Sequence, residues 1–147
     1  MSGGTHECEL CATPGGVMLW SDERLRVVRV ADPDYPGFLR VIWRAHVREM
    51  TDLELAHRSF LLGVVFAAER TLRDLLRPDK VNLASLGNLT PHLHWHVIPR
   101  FFGDPHFPDP IWAPRRTGRP VPLPMPEAEY DRTVAAALDA SLPSVRG

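Results

Sequence analysis

Lysine is almost missing from this chain. Lys80 is the only one, and arginine supplies the rest of the seventeen basic residues. That skew reads as genome composition and carries no functional content. Neither sign of charge dominates: 17 basic against 18 acidic residues leave a formal net charge of -1. A broad polyanion-binding surface is therefore excluded, and no nucleic-acid partner is expected. A small anionic ligand can still be held by local dipoles and a few side chains. No apolar run approaches the roughly 20 residues that span a bilayer, so no membrane segment is expected. Met1 to His6 shows no basic stretch followed by an apolar one, so no secretory leader is expected and the cytoplasm is the default location. Cysteine is scarce as well. Cys8 and Cys11 form a C-x-x-C, which in a reducing compartment points to metal or redox chemistry rather than a structural disulfide.

What is present fits one globular domain over residues 1–147. Apolar residues make up 44% and charged residues 24%, enough to build a core at this length. There is no internal repeat and no linker. Residues 1–16 read as an irregular arm ending in Pro14-Gly15-Gly16. Residues 24–30 alternate valine with charge and predict a strand. A turn cluster at 32–37 follows, then a second strand over 38–43, the two forming a hairpin. Thr51 and Glu54 have capping-box spacing ahead of a long helix carrying Leu53, Phe60, Leu61, Val64, Val65, Ala68, Leu72 and Leu75, stopped by Pro78. Residues 81–86 predict a third strand, Gly87-Asn88 a turn, and 92–98 a fourth strand ended by Pro99. Residues 103–126 hold eight of the fifteen prolines and predict an ordered, irregular wrap over the surface or over a partner. A short C-terminal helix is expected over 127–140. The sum is an α+β fold: an antiparallel sheet with one long helix packed on it.

The most informative run is His92-Leu93-His94-Trp95-His96. Alternate residues of a strand share a face, so the three imidazoles project together while Leu93, Trp95 and Val97 face the core. Three histidines of the seven in the chain are hard to ascribe to a merely solvated face. Two chemistries fit. The three can ligate a metal such as zinc or iron. Alternatively, one imidazole attacks phosphorus while its neighbours set its tautomer and handle the leaving group's proton.

The longer run Thr90-Pro91-His92-Leu93-His94-Trp95-His96-Val97-Ile98-Pro99-Arg100 resembles the motif of the histidine triad (HIT) family, H-φ-H-φ-H-φ-φ followed by Pro-Arg. Upstream, residues 41–46 are similar to the family's strand ending in a further histidine, here His46, and the long helix follows. The resemblance covers about residues 8–101. It implies a nucleotide hydrolase or transferase that cleaves at the α-phosphate. His94 would be the nucleophile, His96 would contact phosphate or help protonate the leaving group, and His92 would orient its neighbour. Candidate substrates are dinucleoside polyphosphates, phosphoramidates and adenylylated compounds. A metal-dependent hydrolase using the three strand histidines, or a non-catalytic nucleotide-binding protein on the same scaffold, are the competing readings.

The resemblance also implies nucleotide contacts from Asn88, where the family usually has glutamine, from Asn82 near the phosphate, and from Asp32, with Asp34 competing, at the ribose hydroxyls. Against these stand plain turn roles for Asn88, Asp32 and Asp34. No cofactor is implied for catalysis. A structural zinc is: Cys8 and Cys11 would bind it with His46 and His92, His6 being an alternative ligand. Such proteins usually dimerise through the long helix and a sheet edge, and the apolar surface between Leu61 and Leu75 would permit a homodimer. His57 is expected on an exposed helix face, and His106 and Trp112 in the Pro-rich segment are expected to be packed or exposed, with a specificity role as the alternative.

Overall fold

The computed structural model describes residues 8–142. His6, the alternative zinc ligand, lies outside the described residues. A one-turn helix α1 (Glu9–Ala12) leads into strands β1 (Val17–Ser21), β2 (Leu25–Arg29) and β3 (Leu39–Trp43). The long helix α2 (Leu55–Leu76) crosses to β4 (Lys80–Ala84) and β5 (His94–Arg100), and α3 (Glu127–Ser141) closes the described chain. Every strand pairing is antiparallel, in the order β1-β2-β3-β5-β4. The expected α+β arrangement is therefore the observed one. No helix among the described residues is long and apolar enough to cross a membrane.

The sheet has two unlike faces because its strands alternate. Val27, Leu39, Val41, Trp43, Leu93 and Val97 pack under Leu61, Val64, Val65, Ala68 and Leu72 of α2 and under Tyr130, Val134 and Leu138 of α3. This is the main core. Arg29 is drawn into it as an anchor: its guanidinium donates to Asp131 of α3 at 2.6 and 3.1 Å. Gly37, at φ +93°, turns the chain between β2 and β3, and Tyr130 Oη donates to its carbonyl at 2.6 Å. A Cβ at Gly37 would sit 2.8 Å from Leu76 Cδ1, so both backbone and space require glycine there. The opposite face carries a small cluster of Leu10, Val28 and Ile42, and beside it the histidines.

Several local expectations need correction. Strand β1 was hidden because its outer residues are exposed and show no clean alternation. The capping box forms, but between Glu49 and Asp52 around a 3-10 turn at Met50–Asp52, one turn ahead of the helix. Helix α2 starts at Leu55 after Glu54, which makes no side-chain cap. Pro99 does not end its strand. It pairs with Val81 of β4, and β3 has already ended at Leu39 opposite Val97, so the residue without an N–H sits where β5 is paired on one side only. The apolar surface from Leu61 to Leu75 is largely consumed by this chain's own sheet and α3; Phe66 remains exposed on α2. His57 is half-buried against Trp43, with ring centroids 5.0 Å apart.

The Pro-rich segment folds back on its own chain as a strap. Arg116 N donates to Pro105 O at 2.7 Å and Arg119 N to Gly103 O at 2.8 Å. A Cβ at Gly118 would lie 2.0 Å from the Asp104 carbonyl oxygen, so only glycine allows the return run. The strap is pinned beneath by Asp104, 3% exposed, whose carboxylate accepts from Arg100 Nε and Nη2 at 2.8 and 3.1 Å and from Tyr35 Oη at 3.1 Å. The backbone N–H groups of Phe101, His106 and Phe107 also donate to it, at 3.0, 3.0 and 2.8 Å.

Candidate active site

His94 and His96 occupy alternate positions of β5, each 6% exposed, and His92 lies two residues before the strand, fully buried. The expected alternation holds, with Leu93 and Val97 on the core side. Across the β3–β5 ladder Ile42 lies opposite His94 and Arg40 opposite His96. Ala84 lies opposite His96 on the other side. The histidine face is thus walled by the central strands.

The three imidazoles are not equivalent. His92 Nε2 is 2.6 Å from the Trp43 carbonyl oxygen, which only accepts, so this nitrogen carries the proton. The lone pair of its Nδ1 then points to Cys8 Sγ and Cys11 Sγ, both 3.4 Å away, and to His46 Nδ1 at 3.1 Å. His94 is set the other way. Its Nδ1–H donates to the His92 carbonyl at 2.5 Å, so Nε2 keeps its lone pair. Burial lowers the His94 pKa, only partly offset by that hydrogen bond, so the ring is neutral at neutral pH. His96 is pushed further, to about 3, by burial and then by His94 and Arg40. Its Nδ1 is buried without a hydrogen-bond partner. A neutral imidazole with an unpaired nitrogen is poised for a ligand rather than for a protein group.

Arg40 and Ser85, which the sequence did not single out, flank these three. Arg40 stands on the histidine face with its Nε buried and unpartnered and its Nη1 3.3 Å from Gly15 O. The available signal was its alternation with the core residues Leu39 and Val41, which puts it on the histidine side. Ser85 Oγ donates to the His94 carbonyl at 2.7 Å and fixes the strand there. The strap sets Trp112, half exposed, edge-on to His96 with ring centroids 5.0 Å apart, so Trp112 borders the triad. His106 is buried and shares a 2.7 Å hydrogen bond with Tyr35 Oη, so it packs the strap.

The other predicted contacts are placed as follows. Asn82 faces the same side of the sheet, but its Oδ1 accepts from Arg100 Nη1 at 2.7 Å, leaving its NH2 group as the free donor. Asn88 is exposed in the loop between β4 and β5. Asp32 Oδ1 accepts from the Asp34 backbone N–H at 2.9 Å, an Asx turn, and Asp34 pairs with Arg115 at 2.6 Å. Asp32 lines a cleft of about 410 Å³ with Val17, Arg29, Pro33 and Glu127, and no triad histidine lines that cleft.

The four sequence-predicted metal ligands do converge: the ligand atoms of Cys8, Cys11, His46 and His92 lie within 4.8 Å of one another. A tetrahedral zinc with bonds of about 2.0–2.3 Å spaces its ligands roughly 3.3–3.8 Å apart, close to these separations. Two facing imidazole nitrogens 3.1 Å apart beside two thiols also suit a cation between them better than a hydrogen-bond network. The donor set fits zinc.

Comparison with known proteins gives one family. The HIT domain model matches residues 15–103. An AP-4-A phosphorylase of Mycobacterium tuberculosis is 33% identical over 81 residues, covering 51% of this chain and 42% of that protein, so the match spans less than half of the relative. A histidine triad protein from Bradyrhizobium japonicum superimposes with a TM-score of 0.68 at 26% identity, over 88% of this chain and 92% of that one. A Zn-bound histidine triad family protein from Mycobacterium smegmatis shares the fold, with a TM-score of 0.63 at 23% identity over 93% of this chain and 96% of that one.

Proposed function

From a chain that belongs to the histidine triad family, we propose a nucleotide hydrolase or transferase that cleaves at the α-phosphate through a nucleotidyl-histidine at His94. The observation that carries this reading is the state of His94: Nδ1–H is tied to the backbone, Nε2 is free, and burial keeps the ring neutral. A neutral imidazole is a good nucleophile, and once bonded to phosphorus through Nε2 with Nδ1 still protonated it is a good leaving group.

In the first step His94 Nε2 bonds to the α-phosphorus, and the bond from phosphorus to the departing group breaks with its electron pair leaving on that group. In the second step a water oxygen bonds to phosphorus and the P–N bond breaks. The nucleoside monophosphate departs, the water's proton is released, and the ring is restored. Inorganic phosphate in place of water would yield a nucleoside diphosphate, and the phosphorylase name of the M. tuberculosis relative makes that acceptor worth testing. His96 offers its N–H to a phosphate oxygen, the preorganised donor such a step needs. Asn88 and the free NH2 of Asn82 are the proposed further phosphate contacts, and Asp32 the proposed ribose contact. Dinucleoside polyphosphates, phosphoramidates and adenylylated compounds are the candidate substrates.

Acid quench of the protein with substrate labelled at the α-phosphorus should trap label on the wild type and none on His94→Asn. Product analysis then distinguishes monophosphate from diphosphate. Full turnover by His94→Asn would sink the covalent mechanism. Loss of all wild-type activity on chelation would favour the three strand histidines as metal ligands.

Cys8, Cys11, His46 and His92 are proposed to hold a structural zinc, the two cysteines, which form no disulfide, binding it as thiolates. Zinc would tie the N-terminal arm to the sheet and lock the ring of His92, the residue whose backbone carbonyl orients His94. Metal analysis of intact protein and of Cys8→Ser/Cys11→Ser checks it; no stoichiometric zinc in the intact protein ends the idea. A homodimer using the β4 edge and the exposed Phe66 is proposed with it, and a monomer mass by light scattering rejects that.

A further inference from the structure

Three guanidinium groups share the histidine face among the described residues: Arg26, Arg40 and Arg100. Two are consumed by the fold. Arg26 donates to the carbonyls of Leu10, Thr13 and Pro14 at 2.7, 3.0 and 2.8 Å. Arg100 is enclosed by Asp104, Asn82 Oδ1 and the Asp109 carbonyl. Arg40 has only the 3.3 Å contact to the Gly15 carbonyl, and its Nε is buried with no acceptor. Glu9 supplies a countercharge through space, without a hydrogen bond. An unmatched buried donor on a cation is costly, and a bound anion relieves it.

The position of Arg40 says which anion. It lies directly opposite His96, while Ile42 lies opposite His94. In an antiparallel pair, directly opposed side chains are about 5 Å apart and diagonal neighbours about 7–8 Å. For a departing group on the His96 side of the phosphorus, Arg40 is the directly opposed cation, and the α-phosphate on His94 is only its diagonal neighbour.

We propose that Arg40 binds a phosphate of the departing group, and so selects substrates in which the nucleotide is joined to a further phosphate over those in which it is joined to an amine. This rests on the His94 reading above. The neighbouring His96 supports it: a ring held neutral beside a guanidinium is poorly suited to protonate a departing amine, whereas a phosphate departs as an anion and needs a cation more than a proton.

The test is calorimetric binding of AMP and ADP to the wild type and Arg40→Met. Wild type should bind ADP tighter than AMP by about tenfold or more, as one charge-assisted contact allows. Arg40→Met should bring the two within about threefold while AMP affinity changes little, since ordinary hydrogen bonding to the α-phosphate is untouched. An unchanged ADP preference overturns the proposal. Equal weakening of AMP and ADP overturns it too, because Arg40 then acts at the α-phosphate or through the N-terminal arm. Should Arg40→Met fail to fold, Arg40→Gln, polar but uncharged, decides by the same criterion. The reaction itself is read separately by the His94 label. An Arg40-dependent ADP preference without any labelled His94 would retract the chemistry and leave the phosphate site standing.

Discussion

Replacing Asp104 by alanine should be among the most damaging single changes outside the triad. The carboxylate is buried and accepts six hydrogen bonds: two from Arg100, one from Tyr35, and three from the backbone N–H groups of Phe101, His106 and Phe107. Its removal leaves the Arg100 guanidinium, itself 2% exposed, with only the Asn82 and Asp109 oxygens and no countercharge. Breaking a buried ion pair from one side typically costs about 3–5 kcal/mol. We expect a loss in that range, with partial relief from water entering the vacated space. The readout is urea unfolding at pH 7, with the midpoint lowered and the m-value kept. The pH dependence adds a second check. Burial alone would raise the Asp104 pKa, but the Arg100 hydrogen bonds and the backbone donors hold it well below the usual carboxylate range. Its stabilisation is thus fully present above pH of about 4 and is lost only as pH falls through the lowered folded value. The gap between wild type and Asp104→Ala should be constant from pH 5 to 8 for that reason. A loss below about 1 kcal/mol, or a gap that closes near neutrality, would refute the account of the strap's anchor.

Three more outcomes are expected. His96 has a folded pKa lowered to about 3, so below the ordinary imidazole value of about 6.5 the unfolded chain takes up a proton that the folded one refuses. Stability falls as pH drops from 7 to 5, by about 2 kcal/mol from this one ring, and His96→Asn should flatten the urea-midpoint profile by that amount; parallel profiles would contradict it. Gly118→Ala puts a Cβ 2.0 Å from the Asp104 carbonyl, so the strap must shift; thermal melts should show a loss of about 1–3 kcal/mol and a Trp112 emission change, and an unaltered melt would be inconsistent with the close return run. Chelation should lower the melting temperature of wild type but not of Cys8→Ser/Cys11→Ser, because only the former keeps the four-residue donor set proposed for zinc; equal responses would rule out the four-residue site.

Particular elements show where sequence reading succeeds and where it stops. Strand alternation at residues 24–30, 38–43 and 92–98 was legible because one face of each strand is buried under α2. Strand β1, at the sheet edge, lacks that contrast and was missed. The capping box misled because Thr51-Glu54 and Glu49-Asp52 have the same spacing, and only the packing of Leu53 in the core decides which turn is made. Pro99 looked like a strand end, since whether a missing N–H matters depends on whether a neighbouring strand is there to receive it.

The histidine run is the clearest division. Sequence alone determined that three imidazoles share one face, that they lie next to a Pro-Arg end, and that two cysteines and His46 were available for zinc. The period of a strand is a property of the backbone and needs no tertiary information. Only the folded structure decided that the rings differ. Which nitrogen bears a proton depends on what carbonyl it meets: Trp43 for His92, and the His92 backbone for His94. Which arginine is left free depends on which neighbours have already claimed the others. Arg26, Arg40 and Arg100 look alike in sequence, and only the arm, the strap and the register of β3 against β5 make Arg40 the one with an unmet donor.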